Sequence, residues 1–234
     1  MMTRSLFRNA IVVFVILVTV RAATAQKARW VETHSWSGLG TKQTEVFWVN
    51  GDKWRIRYSP HGTGIFQIGV YDKTGQLLDM AADQDAPLKG TAVLTERGSR
   101  YLTITGIGTK WDVRVEQFLS VIEEWQLTQL MRQPSTPLVK LGTWTGETID
   151  AEYEFTVPAG RWKVVHSNSG GGFLQIIIED QNNFVALAAN TSDDGEDFSW
   201  VHRPGKFVMK IIASNTSWKV DVFCEQADHE QKQP

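Results

Sequence analysis

Apolar and polar positions alternate over most of this chain, with the period of two that a half-buried β-strand requires. Trp54-Arg-Ile56-Arg-Tyr58 is one such run, and Trp162-Lys-Val164-Val-His166 is another. Tyr101, Leu102 and Ile104 mark a third; Trp111, Val113 and Val115 mark a fourth. Turn residues fall between the runs at Asn50-Gly51-Asp52, His61-Gly62-Thr63-Gly64, Lys73-Thr74-Gly75 and Arg97-Gly98. Later they recur at Pro158-Ala159-Gly160, Gly170-Gly171-Gly172, Asp193-Asp194-Gly195 and Pro204-Gly205. Short strands at this spacing predict an all-β sandwich or barrel.

The pattern also repeats. Trp36-Ser37-Gly38 returns 108 residues later as Trp144-Thr145-Gly146, and Phe47, Trp54 and Phe66-Gln67-Ile68 return as Phe155, Trp162 and Leu174-Gln175-Ile176. Past one deleted residue the spacing is 107, placing Gly98, Ile104 and Trp111 on Gly205, Ile211 and Trp218. This register predicts two tandem homologous antiparallel β-sandwich domains over 31–118 and 139–226, each of about eight jelly-roll-like strands. The connector, 119–138, carries apolar residues at helical spacing and then Pro134 and Pro137. It predicts a short helix whose apolar side chains pack on one or both domains. A polar tail fills 227–234.

Several of these segments resemble extracellular jelly-roll-like domains, the bacterial pre-peptidase C-terminal type and the broader CUB-like sandwich. In the second copy Phe155-Thr-Val-Pro-Ala-Gly160 leads into a strand, and Leu174-Gln-Ile-Ile-Ile178-Glu-Asp180 resembles the family strand that ends in Asp before a turn. Gly205-Lys-Phe-Val-Met-Lys-Ile211 and Trp218-Lys-Val-Asp-Val222 resemble its last two strands. Val70-Tyr-Asp72-Lys-Thr-Gly75 and Gly98-Ser-Arg-Tyr101-Leu-Thr-Ile104 are their counterparts in the first copy. The resemblance implies an accessory or binding role.

The first residues bear on compartment. Arg4 and Arg8 precede an apolar run from Ala10 to Val20, and Ala23-Thr24-Ala25 supplies an A-x-A cleavage site. These are the parts of a secretory signal peptide over 1–25. The run is shorter than the roughly 20 residues a membrane span needs, and nothing later resembles a span. Cys224 is the only cysteine, which points to a bacterial periplasmic or secreted protein rather than a disulfide-built animal one. Net charge is −2 with no basic patch, so nucleic acid is a poor partner.

No catalytic motif is present. His34, His61, His166, His202 and His229 stand in no nucleophile or metal pattern, and neither G-x-S-x-G nor H-E-x-x-H occurs. Carboxylates gather at Asp193, Asp194, Glu196 and Asp197, with Asp180 as a possible neighbour. Calcium, which takes six to eight oxygens at about 2.3–2.6 Å, is the one metal they suggest. A solvated acidic loop is the alternative. Trp48 follows Phe47, so the two point to opposite faces; if Phe47 is inside, Trp48 is outside or between domains. Trp200 and His202 lie just beyond the acidic loop. Trp48, Trp200 and His202 are therefore the candidate ligand-binding residues, for an extracellular glycan or protein. The expectation is a secreted, non-catalytic binding protein. A purely structural or oligomerising module is the alternative, and a hydrolase with its site at the domain interface has no motif in its favour.

Overall fold

The computed structural model describes residues 27–85, 88–133, 135–148, 150–158, 160–181 and 183–226. The expected leader and polar tail lie outside the described residues. The architecture is all-β, with every strand pair antiparallel and one short helix among the described residues. The first half contributes β1 (Arg29–Gln43), β2 (Phe47–Val49), β3 (Trp54–Gly62), β4 (Phe66–Asp72), β5 (Leu77–Gln84), β6 (Gly90–Leu94) and β7 (Gly98–Leu119). Helix α1 (Val121–Met131) follows. The second half contributes β8 (Leu138–Glu147), β9 (Ala151–Val157), β10 (Trp162–Ser169), β11 (Phe173–Asp180), β12 (Asn183–Thr191), β13 (Gly195–Val201), β14 (Gly205–Ser214) and β15 (Ser217–Glu225).

In the second half two four-stranded sheets, β13-β10-β15-β8 and β12-β11-β14-β9, enclose one apolar core. The first half pairs its strands in the same way, but β7 is long enough to serve both sheets and joins them into one. Its early residues pair with β2, β4 and the end of β1, and its late residues with β3 and the rest of β1. The bend in β7 falls at Gly108 (φ 65), and the turn between β14 and β15 at Asn215 (φ 54). Both are left-handed, a conformation that glycine and asparagine tolerate best.

The recurring Trp and Gly positions have a physical reason. Gly38 faces Trp111 across β1 and β7, and Gly146 faces Trp218 across β8 and β15. A Cβ on Gly38 would lie 2.8 Å from the Trp111 ring, and Gly146 is equally closed off by Trp218. In each half a tryptophan ring therefore fills the space a side chain on the glycine would need. Trp54 and Trp162 are fully buried, and their Nε1 atoms donate to the Glu96 and Arg203 carbonyls at 3.2 and 3.0 Å. Phe47 and Phe155 pack against these two rings. A second core, separate from the first, forms around Trp54, Trp111, Ile56, Phe66 and Val113.

The halves meet where the end of β1 packs against β12 and β13. The Gln43 N–H donates to Ser199 Oγ at 2.9 Å, Lys42 pairs with Asp197 at 2.5 Å, and Lys110 pairs with Asp193 at 3.0 Å. Gly40 (φ 86) sits hard against the Asn190 carbonyl, with no room for a Cβ. Gly40→Ala should therefore push the halves apart. The expected cost is about 1–3 kcal/mol, the usual range for overpacking, read as a lowered denaturation midpoint; an unchanged midpoint would show that the contact yields freely.

The connector differs from expectation. Its helix is capped by Ser120 and Glu123, whose side chains reciprocally satisfy backbone N–H groups. Yet Leu127 is its one buried residue, while Ile122 is 70 % and Trp125 62 % exposed. The apolar residues are scattered around this short helix instead of forming one stripe. Much of its apolar surface consequently faces solvent.

Candidate functional site

Phe47 is buried and Trp48 is 44 % exposed, because adjacent residues of β2 point to opposite faces. Trp200 projects from β13 in the other half, with the Arg161 guanidinium 5.7 Å from its ring centroid. The two tryptophans line one cavity of about 490 Å³. Leu127, Leu130 and Met131 of α1 and Leu138 at the start of β8 complete an apolar wall. Its polar lining is His34, Glu45, Ser135, Thr136 and the Arg161–Glu225 ion pair. His34 stacks on Trp36 at 5.6 Å; burial lowers its pKa, partly opposed by Glu45. Glu225 resists the upward push of burial because Arg161 holds it ionised. Cavities of this size and character commonly take small ligands or the anchor side chains of a partner.

His202 belongs to a different groove. Its Nε2 lies 2.9 Å from the Thr44 carbonyl oxygen. A carbonyl can only accept, so this nitrogen carries the proton. Nδ1 is then a bare acceptor, and it is buried with no partner among the described residues. The imidazole packs on Tyr101 at 3.9 Å, and Tyr101 stacks on Tyr71 at 5.1 Å. Burial lowers the His202 pKa to about 4, against the opposing pull of the Thr44 hydrogen bond, and raises that of Tyr101 to about 12. Both groups are neutral near pH 7. This second groove, about 620 Å³, lies between the outward face of β4 and β7 and the start of β12.

The five carboxylates of the expected cation site do not converge. Asp180 pairs with Arg203 at 2.7 Å at the β11–β12 turn. The acidic loop lies near Leu174 and Thr191, at the other end of β11, roughly 20 Å away at the ~3.3 Å rise of a strand residue. Within the loop Asp193 and Asp197 are held by Lys110 and Lys42, and Asp194 accepts the Gly170 and Gly171 N–H groups at 3.2 and 2.9 Å. Among the described residues no group of three or more His, Cys, Asp or Glu is placed to hold a metal ion. His166 lines the small acidic cleft of about 250 Å³ beside this loop. It stands opposite Asp197 across β10 and β13, but burial lowers its pKa to about 4. Cys224 is buried, and desolvation raises its pKa.

No protein-family model matches this chain. No curated protein sequence matches it either. Among solved structures it is similar to a conserved protein of unknown function from Pseudomonas aeruginosa PAO1, at 12 % identity and TM-score 0.27, over 86 % of this chain and 90 % of that one. It is also similar to the major capsid protein P2 of bacteriophage PM2, at 9 % identity and TM-score 0.24, over 86 % and 99 % of the two chains. Oxalate decarboxylase of Bacillus subtilis follows, at 8 % identity and TM-score 0.21, over 86 % and 74 %. Likenesses this distant carry no inference about function.

Of this groove the sequence singles out His202 alone; Thr103-Ile-Thr105 carries the rest of its pattern, two threonines on one strand face with a core residue between them.

Proposed function

We propose that this chain is an exported, non-catalytic binding protein of duplicated sandwich design, and that its ligand seat is the Trp48–Trp200 groove. One observation carries the reading. The two tryptophans come from different halves, lack counterparts in the recurring pattern, and line the same cavity beneath the connector helix. The three-part N-terminal leader supports export. The partner is a protein offering an apolar segment. The walls are Leu, Met and Trp, and the polar groups at the rim include an ion pair already internally neutralised. Aromatic anchors of this kind dominate the energy of protein interfaces.

A displayed library of random short peptides tests this. Selection on the mature chain is expected to enrich apolar, aromatic-bearing peptides. Trp48→Ala and Trp200→Ala should each weaken their binding about tenfold or more, whereas Trp125→Ala should not. Failure to enrich any peptide, or binding indifferent to both tryptophans, would remove the proposal. The alternative, an assembly module, is favoured by the exposed apolar side chains of α1 and by Val139 and Leu141 on the edge strand β8. In that case Trp125→Ala is the variant that abolishes association.

A further inference from the structure

We propose that the second groove, between β4–β7 and β12, is a binding site for a neutral saccharide, separate from the Trp48–Trp200 seat. Strand register builds its floor. Tyr71 pairs with Tyr101, and Thr103 and Thr105 pair with Gln43 and Thr41 across β1 and β7. Leu102 and Ile104 are fully buried in the core, so Tyr101, Thr103 and Thr105 point the other way, into the groove. The opposite wall is Phe184 at the start of β12, 68 % exposed, followed by Val185 and Leu187.

Among the described residues, two polar groups of the groove lining lack hydrogen-bond partners. Thr41 is only 7 % exposed, yet its Oγ1 has no hydrogen-bond partner. His202 Nδ1 is a bare acceptor in the same state. A buried polar group left unmatched is costly, and both of these belong to residues of the groove lining. Thr41 Oγ1 can donate or accept and Nδ1 can only accept, which a sugar hydroxyl satisfies in both cases. Thr74, Thr103, Thr105 and Gln43 supply further hydroxyl and amide groups.

The charge of the lining selects against ionic ligands. Among the described residues that line it Arg203 alone bears a full charge, and Asp180 already neutralises it at 2.7 Å. An open phenyl ring beside rows of neutral hydroxyls matches a pyranose, which has an apolar C–H face and a hydroxyl rim. The volume, about 620 Å³, lies within the ~300–1,000 Å³ typical of ligand sites.

The test is calorimetric titration of the full mature chain with neutral gluco-, manno-, galacto- and xylo-oligosaccharides, with an anionic polygalacturonate as the charged control. At least one neutral oligosaccharide is expected to bind with Kd on the order of 1 mM or tighter, and the polyanion is not. Phe184→Ala and the shape-preserving Thr105→Val should each weaken that binding about tenfold, with Trp200→Ala neutral. A matching far-UV spectrum and denaturation midpoint in Thr105→Val assigns the loss to the site. No binding by any neutral oligosaccharide at about ten times that concentration overturns the proposal. Binding that survives Phe184→Ala and Thr105→Val, or is lost in Trp200→Ala, also overturns it, the last by placing the sugar in the tryptophan groove.

Discussion

Trp162→Ala is expected to cost about 3–5 kcal/mol, the range for truncating a fully buried aromatic ring. The ring is wedged between Phe155 and Phe207, at 5.1 and 5.0 Å, and its Nε1 donates to the Arg203 carbonyl. Truncation leaves both a cavity and an unsatisfied carbonyl. Trp54→Ala should cost a similar amount in the first core, where Phe47 and the Glu96 carbonyl take those roles. Against a typical total of about 5–15 kcal/mol, either change should bring its half near unfolding. Guanidinium denaturation followed by far-UV circular dichroism measures the loss. A cost under about 1 kcal/mol, the level of an ordinary substitution, would mean that these rings do not organise the cores.

Acid should destabilise this protein earlier than its carboxylates alone predict. An unfolded histidine takes up its proton near pH 6.5, whereas folded His166 and His202 do so only near about 4, chiefly because burial disfavours the charged form. The stability these neutral rings contribute is complete above the unfolded value. It is lost as pH falls from about 6.5 toward 4, because the unfolded chain then binds protons the folded chain refuses. For His166, 5 % exposed, the loss amounts to about 2 kcal/mol by pH 5 and levels off on the order of 3. His202 adds a smaller loss of the same sign. The carboxylates held ionised by partners, Glu116 by Arg55 and Arg57 among them, act at lower pH. Urea denaturation between about pH 7.5 and 5 should show the drop in the native chain and a flatter profile in His166→Gln. Parallel profiles would sink the assignment.

The strands were legible because one sheet face of each is buried and the alternation survives in the residues. The aromatic-over-glycine pairs were legible as recurring letters, though only the register of β1 against β7 shows why a side chain at Gly38 is impossible. The outward aim of Trp48 followed from Phe47 alone. Its meeting with Trp200 did not, since it depends on how the halves pack. The setting of the acidic loop was hidden for the same reason: the charges that neutralise Asp193 and Asp197 come from Lys110 and Lys42, far away in sequence. The connector helix was foreseen, but its apolar spacing could not tell a buried face from an exposed one.

The join between the halves is also asymmetric in a way that limits copying. By the spacing of the recurring residues, the position of Gly40 in the second half is Thr148, and by the register of the strands that of Asp197 in the first half is Gly90. A further sandwich offered to the outer surface would meet a threonine side chain where the join needs none. The first half, for its part, presents no acid where the join uses Asp197. The contact that unites the two sandwiches is thus made from residues their corresponding positions do not share, so it is particular to this pair of faces rather than a property of the repeat.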